Sequence, residues 1–279
     1  VASIDGTTSS VQVTIVGTND TAILSSATVS LDETNAVLST GVTLSVTDVD
    51  DGEAAYVAQT NVAGTYGTFS IAADGTWSYV ANESYDSLNA GDTISDTFSV
   101  ASIDGTTSSV QVTIVGTNDT AILSSATVSL DETNAVLSTG GTLTVTDVDD
   151  GEAAYVAQTN VAGTYGTFSI AADGTWSYVA NESYDSLNAG DTISDTFSVA
   201  SIDGTTSSVQ VTIVGTNDTA ILSSATVSLD ETNAVLSTGG TLSVTDVDDG
   251  EAAYVAQTNV AGEGGKRKKK KKKEERKRG

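Results

Sequence analysis

The first 265 residues of this chain contain no lysine, arginine or histidine, and the whole chain contains no cysteine and no methionine. Without cysteine no disulfide can cross-link the fold, so an apolar core must hold it, with or without bound metal. No apolar run approaches the roughly 18 residues of a membrane-spanning helix, and we expect no membrane span. The common pairs of nucleophile and base need histidine, cysteine or lysine, so we do not expect an enzyme.

Acidic residues dominate the charge of the sequence. There are 37 Asp and Glu against 11 Lys and Arg, and the formal net charge is −26. All the basic residues lie between Lys266 and Arg278, so the chain before them has no side chain that could form a salt bridge with its acids. This acidity argues against nucleic acid as a partner of the acidic part and favours cations from solution.

The acidic part consists of repeats. The string VASIDGTTSSVQVTIVGTND begins at Val1, Val100 and Val199, which gives a period of 99 residues. Solenoid repeats run about 20–50 residues, so each repeat is the size of a complete small domain. Taking each GTND as a linker, we predict five segments: the last hairpin of a preceding domain at 1–20, whole domains at 21–119 and 120–218, the first three strands of another at 219–262, and a basic tail at 263–279. The chain is therefore expected to be part of a longer protein.

Short stretches of alternating apolar and polar residues predict strands throughout one repeat. The predicted strands cover Ala27–Leu31, 43–47, 54–62, 68–72, 76–80, 93–103 and the segment equivalent to Ser10–Ile15. Asp-Gly pairs between some of these stretches are typical of hairpin turns. Seven strands at this spacing predict an all-β fold of tandem antiparallel immunoglobulin-like sandwiches. We expect the large aromatic side chains Phe69, Trp77, Tyr79 and Phe98 to form the core.

Four sequence segments in this order resemble the VCBS repeats of large secreted bacterial proteins: TLSVTDVDDGE, GTYGTFSIAADGTWSYVAN, LNAGDTISDTFSV and VQVTIVGTND. The resemblance covers nearly everything up to Gly262. It implies a cadherin-like or immunoglobulin-like sandwich in a calcium-dependent surface adhesin, located outside the cell or on its surface. The function expected from it is that of a spacer that supports cell adhesion or biofilm formation, with the adhesin's own ligand unspecified.

Strand direction places the acids at the two ends of each domain, which we call the near pole, where the chain enters, and the far pole, where it leaves. Turns at Asp32–Glu33 and Glu83–Asp86 fall at the far pole, and the DVDDGE run falls at the near pole. Calcium takes about 6–8 oxygen ligands, and the acids that meet at a linker supply enough of them. DVDDGE is not an EF-hand, because position six from Asp48 is Glu53 and position twelve is Gln59. The arrangement resembles the junctional calcium sites of cadherins.

The candidate calcium ligands are Asn19, Asp20, Asp48, Asp50, Asp51, Asn118, Asp119, Asp147, Asp149, Asp150, Asn217, Asp218, Asp246, Asp248, Asp249, Asp32, Glu33, Glu83 and Asp86. The alternative is that each Asp caps a turn and stays solvated. The partners expected from this set are calcium and the neighbouring repeats of the same chain.

A second function stays open at this point, that of a carbohydrate-binding module. Such a module needs an exposed aromatic platform, for which Trp77 or Tyr85 would be the candidates. A spacer should instead bury Trp77 and its equivalent Trp176. The basic run from Lys266 to Arg278 interrupts a repeat partway, and we expect it to be disordered and foreign to the repeat.

Overall fold

The structure is a computed structural model that describes residues 1–262, so the predicted basic tail lies outside the described residues. Close backbone contacts divide the chain into two compact units. The first comprises Val1–Val128, Ser138–Asn181 and Ser194–Val211. The second comprises Ser129–Leu137, Glu182–Ile193 and the described residues from Thr212 onward.

The described residues form strands and turns, and the strand bounds repeat with the sequence. In the first whole repeat the strands are β1 (Ile23–Leu24), β2 (Ala27–Asp32), β3 (Ser39–Thr40), β4 (Val46–Thr47), β5 (Gln59–Ala63), β6 (Gly67–Ile71), β7 (Trp77–Ala81), β8 (Thr93–Ala101) and β9 (Thr107–Val115). In the second they are β10 (Ile122–Leu123), β11 (Ala126–Asp131), β12 (Ser138–Thr142), β13 (Val145–Thr146), β14 (Gln158–Ala162), β15 (Gly166–Ile170), β16 (Thr175–Ala180), β17 (Thr192–Ala200) and β18 (Thr206–Val214). The third partial repeat has β19 (Ile221–Leu222) and β20 (Val244–Thr245).

Each whole repeat is built from two main sheets. In the first repeat a four-stranded sheet has the order β3-β7-β6-β5, and a three-stranded sheet has the order β2-β9-β8. The short strands β1 and β4 form an antiparallel pair of their own. All pairs are antiparallel except β2 and β9, which run parallel with Ala27 opposite Val110. The second repeat has the same strand order. The predicted all-β tandem sandwich is confirmed.

The core of the first repeat contains the four aromatic residues that the sequence predicted, together with aliphatic side chains of the same strands. Phe69, Trp77, Tyr79 and Phe98 are at most 5% exposed, and the rings of Phe69 and Phe98 stack with centroids 4.7 Å apart. They meet because alternate residues of β6, β7 and β8 face the same side of a pleated strand. Offset aromatic stacking adds about 0.5–1.5 kcal/mol to the effect of burial alone.

The strands differ from the seven predicted in number and in extent. Two strands of two residues each, β1 and β3, were not predicted, and β1 belongs to a different sheet from β2. The predicted strand 54–62 forms only from Gln59, and Tyr56 makes an isolated bridge to Ser102 instead. A bulge follows Gln59, where Asn61 has a positive φ of 51° that interrupts regular pairing.

The two partial repeats lack most of this sheet structure. Residues 1–20 contain one isolated bridge, between Ala2 and Thr8. Val11 and Val13 there are 75% and 78% exposed, whereas their equivalents Val110 and Val112 on β9 are at most 1% exposed. Their sequence is identical, so the difference comes from the missing neighbours. An apolar strand residue is buried only when sheet partners cover it.

Tyr254 and Tyr155 are equivalent tyrosines that test this difference in solution. Tyr155 is 1% exposed and Tyr254 is 45% exposed. Few buried contacts make local opening easy, so we expect chymotrypsin to cleave after Tyr254 well before it cleaves after Tyr155. Mass spectrometry of a cleavage time course measures both rates. Equal protection of the two tyrosines would show that residues 219–262 are as well folded as a whole repeat.

Candidate metal centres at the repeat junctions

Three segments of the chain bring a GTND linker next to a DVDDGE loop. We call them the N-terminal junction around Asp20, the central junction around Asp119 and the C-terminal junction around Asp218. The central junction lies wholly within the first unit and the C-terminal junction wholly within the second.

The DVDDGE loop folds back on its own first aspartate. At the central junction the Asp149 N–H donates to Asp147 Oδ1 over 3.0 Å. This is the local turn that aspartate side chains form with the backbone two residues on. The same bond joins Asp50 to Asp48 over 2.9 Å and Asp248 to Asp246 over 3.1 Å. The loop conformation is therefore encoded by the short sequence and recurs at all three junctions.

The linker is tied directly to this loop. The Asp119 N–H donates to Asp149 Oδ2 over 2.9 Å, and Asn118 Nδ2 donates to the Asp119 carbonyl over 2.7 Å. Asp149 is only 3% exposed. Its other oxygen, Oδ1, is buried and has no hydrogen-bond partner among residues 1–262. One carboxylate thus anchors the linker and still has a free acceptor oxygen.

The far pole of the first repeat adds Glu33 and Asp86. Glu33 directly follows β2, is 3% exposed, and accepts hydrogen bonds at Oε1 from the Thr117 N–H over 3.2 Å and the Thr117 hydroxyl over 2.5 Å. The remaining oxygen Glu33 Oε2 and the oxygen Asp86 Oδ1 are buried, and nothing in the described chain donates to them. Isolated buried carboxylates are costly, so these oxygens need a cation or a proton.

Electrostatics link the acids of the central junction. The pKa of Asp119 is raised by burial and by the negative charges of Glu33, Asp149 and Asp86. Raised carboxylate pKa values of this kind mark a site where several negative charges are held close together. The structure therefore brings together acids from the first repeat, the linker and the second repeat, as strand direction predicted.

The C-terminal junction has the equivalent residues, 99 positions further along the chain. Glu132, Asp185 and Asp218 each offer one carboxylate oxygen, and these oxygens lie within 4.8 Å of one another. Thr216 donates to Glu132 Oε1 through its N–H over 2.9 Å and its hydroxyl over 2.8 Å. The pKa of Asp218 is raised by burial and then by Glu132, Asp248, Asp185 and Asp246. Asn217 Nδ2 donates to the Asp218 carbonyl over 2.6 Å.

The N-terminal junction has the same contact between linker and loop. The Asp20 N–H donates to Asp50 Oδ2 over 2.7 Å, and Asn19 Nδ2 donates to the Asp20 carbonyl over 3.0 Å. Buried oxygens without a protein donor within the described ranges are Asp48 Oδ2 and Glu53 Oε2. Glu53 resembles its equivalent Glu152, since burial and neighbouring aspartates raise the pKa of both.

Some of the predicted ligands have exposed side chains. Asp32 and Glu83 are exposed, and neither is among the charges that raise the pKa of Asp119. The third aspartates of the loops, Asp51, Asp150 and Asp249, are also exposed. The backbone of Asp150 nevertheless contacts the first repeat, because its N–H donates to the Ser87 carbonyl over 3.2 Å.

Asn89 lies at the central junction, and the sequence analysis did not identify it. Asn89 Nδ2 donates to the Asp150 carbonyl over 3.1 Å, and Asn89 Oδ1 is a buried oxygen without a donor in the described part of the chain. A single asparagine in the loop LNAGD carries no pattern that could have identified it. Asn89 and Asp150 are far apart along the chain, and only the fold brings them into contact.

The chemistry of the site fits a hard divalent cation. Its free atoms are carboxylate and amide oxygens, and neither His nor Cys occurs in the chain, which excludes the usual zinc ligand sets. Oxygen ligands drawn from several flexible loops suit calcium, which accepts 6–8 ligands in irregular geometry, better than the strict octahedron of magnesium. Glu33, Asp86, Asp119 and Asp149 would hold such an ion at the central junction.

Comparison with solved structures gives distant likenesses to cadherin ectodomains. A protocadherin gammaB7 EC3-6 structure is 14% identical with a TM-score of 0.42, covering 83% of this chain and 57% of that one. Mouse cadherin-23 EC22-24 is 19% identical with a TM-score of 0.38, covering 72% and 68%. Drosophila N-cadherin EC1-3 is 14% identical with a TM-score of 0.33, covering 71% and 66%. The chain thus spans little more than half of the protocadherin structure. No curated protein sequence matched.

The family comparison is more direct. The profile described as bacterial cadherin-like domain matches residues 19–116 and again residues 118–215. These two matches cover more than half of the chain and coincide with the two repeats that carry complete sheets. Among the described residues no helix is long and apolar enough to cross a membrane. The cadherin-like tandem repeat expected from the sequence is confirmed, and the chain belongs to the bacterial cadherin-like domain family.

Proposed function

We propose that these repeats are calcium-stiffened spacers of a large secreted or cell-surface bacterial adhesin, where they support cell adhesion or biofilm formation. The observation that carries the proposal is the central junction. There the linker amide of Asp119 is bound by Asp149 of the following repeat, and buried oxygens from both repeats lack donors in the part of the chain described. An ion shared by these oxygens would join two domains through their linker.

The proposed ion acts on flexibility as well as on stability. Without it, Glu33, Asp86, Asp119 and Asp149 repel one another, and the repulsion favours separation of the two repeats. With it, the same four carboxylates, from four different segments of the chain, attract a common charge. Calcium outside cells is abundant enough for sites of modest affinity, about 10⁻⁴–10⁻³ M in extracellular modules. Repeated junctions of this kind give a long protein a defined reach.

The carbohydrate-binding alternative receives no support from the aromatic residues. Trp77 and Trp176 are 2% and 4% exposed and pack inside their domains. Tyr85 is half-buried, and its hydroxyl donates to the Tyr66 carbonyl over 2.7 Å. A sugar-stacking platform needs an aromatic face open to solvent, and none of these three side chains provides it.

Calcium should stabilise the whole repeats against heat. A ligand that binds only the folded state adds RT ln(1 + [L]/Kd), about 2.7 kcal/mol at a hundredfold excess over Kd. We expect calorimetry to show a melting temperature several degrees higher in calcium than in chelator. Sodium chloride at matched ionic strength is the control for simple screening. Equal melting temperatures in the two solutions would contradict the proposed calcium sites.

Adjacent acids Glu33 and Asp32 allow a matched test of which oxygens bind the ion. Both substitutions, Glu33→Gln and Asp32→Asn, remove one charge from the far pole, but only Glu33 is buried beside Thr117. We expect Glu33→Gln to weaken calcium binding at the central junction about tenfold or more, equivalent to roughly 1.4 kcal/mol. Asp32→Asn should change the affinity by less than about twofold, the effect of a screened surface charge. Isothermal titration calorimetry measures both, and equal effects would place the ion elsewhere.

The pH dependence of the metal-free protein follows from the raised pKa values. Burial and neighbouring acids raise the pKa of Asp119, Asp218, Glu53 and Glu152 above their ordinary values of 3.8 and 4.5. Carboxyls with a raised folded pKa add stability that is fully present below the unfolded pKa and is lost as the pH rises through the folded pKa. We therefore expect the metal-free melting temperature to fall as the pH rises from about 4 to 7.

Calcium should abolish this fall, because it replaces the proton as the positive charge at the same oxygens. Below pH 3.8 stability changes with pH in the opposite sense. Hydrogen bonds from the Thr76 backbone and hydroxyl lower the pKa of Asp74, so the stability that this carboxylate adds is lost on further acidification. Melting curves of the metal-free and calcium-loaded protein across this range measure both trends. A metal-free melting temperature that rises between pH 5 and 7 would contradict the electrostatic account of the junctions.

A further inference from the structure

The loop that carries Asp86 has an unusual support. It connects β7 to β8, and Tyr85, the residue before Asp86, has a positive φ of 62°. A bulky residue in that backbone region is strained, and the surrounding contacts must hold it there. Two contacts do so: the Tyr85 hydroxyl donates to the Tyr66 carbonyl over 2.7 Å, and the two rings meet edge to face with centroids 5.8 Å apart.

Tyr66 is itself held from inside the domain by Asp96. This carboxylate on β8 is 6% exposed and accepts three hydrogen bonds: from the Thr65 N–H over 2.7 Å, the Tyr66 N–H over 2.9 Å and the Tyr79 hydroxyl over 3.1 Å. A buried carboxylate with three donors fixes the backbone that surrounds it.

The turn between β5 and β6 packs so closely against this carboxylate that it has no room for a side chain at Gly64. A Cβ added to Gly64 would lie 2.5 Å from Asp96 Oδ2, so a glycine is needed for the close approach. The second repeat has the same arrangement, in which Asp195 accepts from the Thr164 N–H over 2.8 Å, the Tyr165 N–H over 2.9 Å and the Tyr178 hydroxyl over 3.2 Å.

The other side of the loop faces the central junction. Asp86 Oδ1 is one of the buried oxygens that have no donor within residues 1–262, and the neighbouring Ser87 carbonyl accepts from the Asp150 N–H over 3.2 Å. The Leu88 N–H donates back to the Tyr85 carbonyl over 3.1 Å, which closes the turn on the strained residue. The conformation of Tyr85 therefore determines where Asp86 and Ser87 meet the second repeat.

We propose that Asp96, Tyr66 and Tyr85 are positioning residues for the junctional ion, through which the interior of the first repeat sets the place of the ligand Asp86. Asp96 orders Tyr66, the Tyr66 carbonyl binds the Tyr85 hydroxyl, and Tyr85 presents Asp86. None of the three touches the ion. The inference rests on the proposed calcium-binding function and assigns part of its affinity to a hydrogen bond inside the domain.

The variant Tyr85→Phe tests this inference, because it removes the hydroxyl and keeps the ring against Tyr66. The matched control is Tyr56→Phe, which also removes a buried hydroxyl that donates to a backbone carbonyl, that of Ser45, over 3.0 Å. Both variants are made in the full chain, and calcium alone is titrated by calorimetry, with melting in chelator measured in parallel.

We expect Tyr85→Phe to weaken one class of calcium sites about 3- to 10-fold, the effect of one hydrogen bond, while the remaining sites keep their affinity. The Tyr56→Phe control should leave every calcium site unchanged. In chelator, the two variants should melt at similar temperatures. A purely structural role for Tyr85 predicts that Tyr85→Phe leaves the calcium affinity unchanged, and that result would overturn the inference.

Failure of the inference and failure of the proposed function give different results. If the unmodified chain binds calcium and Tyr85→Phe binds it equally well, the positioning role is wrong and the calcium sites stand. If the unmodified chain binds no calcium, the proposed function and the positioning role are both wrong. A second variant, Asp96→Asn, supports the inference if it weakens the same class of sites as Tyr85→Phe, and contradicts it if it lowers metal-free stability alone.

Discussion

Repulsion among carboxylates that have no internal counter-charge is the constraint on which these repeats depend. An apolar core fills most of each domain, so most of the acids lie at the surface and at the poles, whereas Asp96 and Asp195 are buried and accept hydrogen bonds inside their domains. At the C-terminal junction one carboxylate oxygen from each of Glu132, Asp185 and Asp218 lies within 4.8 Å of the other two. Folding thus concentrates negative charge that no basic residue within residues 1–262 can neutralise.

At the central junction, backbone and hydroxyl donors bind one oxygen of a carboxylate and leave its second oxygen without a donor among the described residues. Thr117 occupies one oxygen of Glu33, and the Asp119 amide occupies one oxygen of Asp149. Each carboxylate is oriented through one atom and available through the other. The same division between an anchoring and a free oxygen occurs in Asp248, 99 residues after Asp149, which indicates that the repeat encodes the junction as well as the domain.

The sequence predicted the fold well because its signals were local and periodic. An aromatic core around Phe69 could be identified from the alternation of apolar and polar residues along β6 and β7. The Asp-Gly turns and the 99-residue period together indicated a tandem sandwich. Less visible were short or interrupted elements: β1 and β3 are two residues long, and the bulge beside Asn61 breaks a strand that the pattern suggested was continuous. Pairing partners far along the chain decide such elements, so a local window does not contain the information.

By itself, the sequence determined the repeated all-β domain and its side-chain chemistry. The chain has carboxylate oxygens but no His or Cys, and residues 1–262 contain no basic side chain. Only the tertiary structure decided which acids act together. Adjacent residues Asp32 and Glu33 have the same charge, yet a strand directs consecutive side chains to opposite faces, and only Glu33 is buried against the linker. The positions of Asn89 and Tyr85 likewise depend on contacts across the fold, which no spacing along the chain specifies.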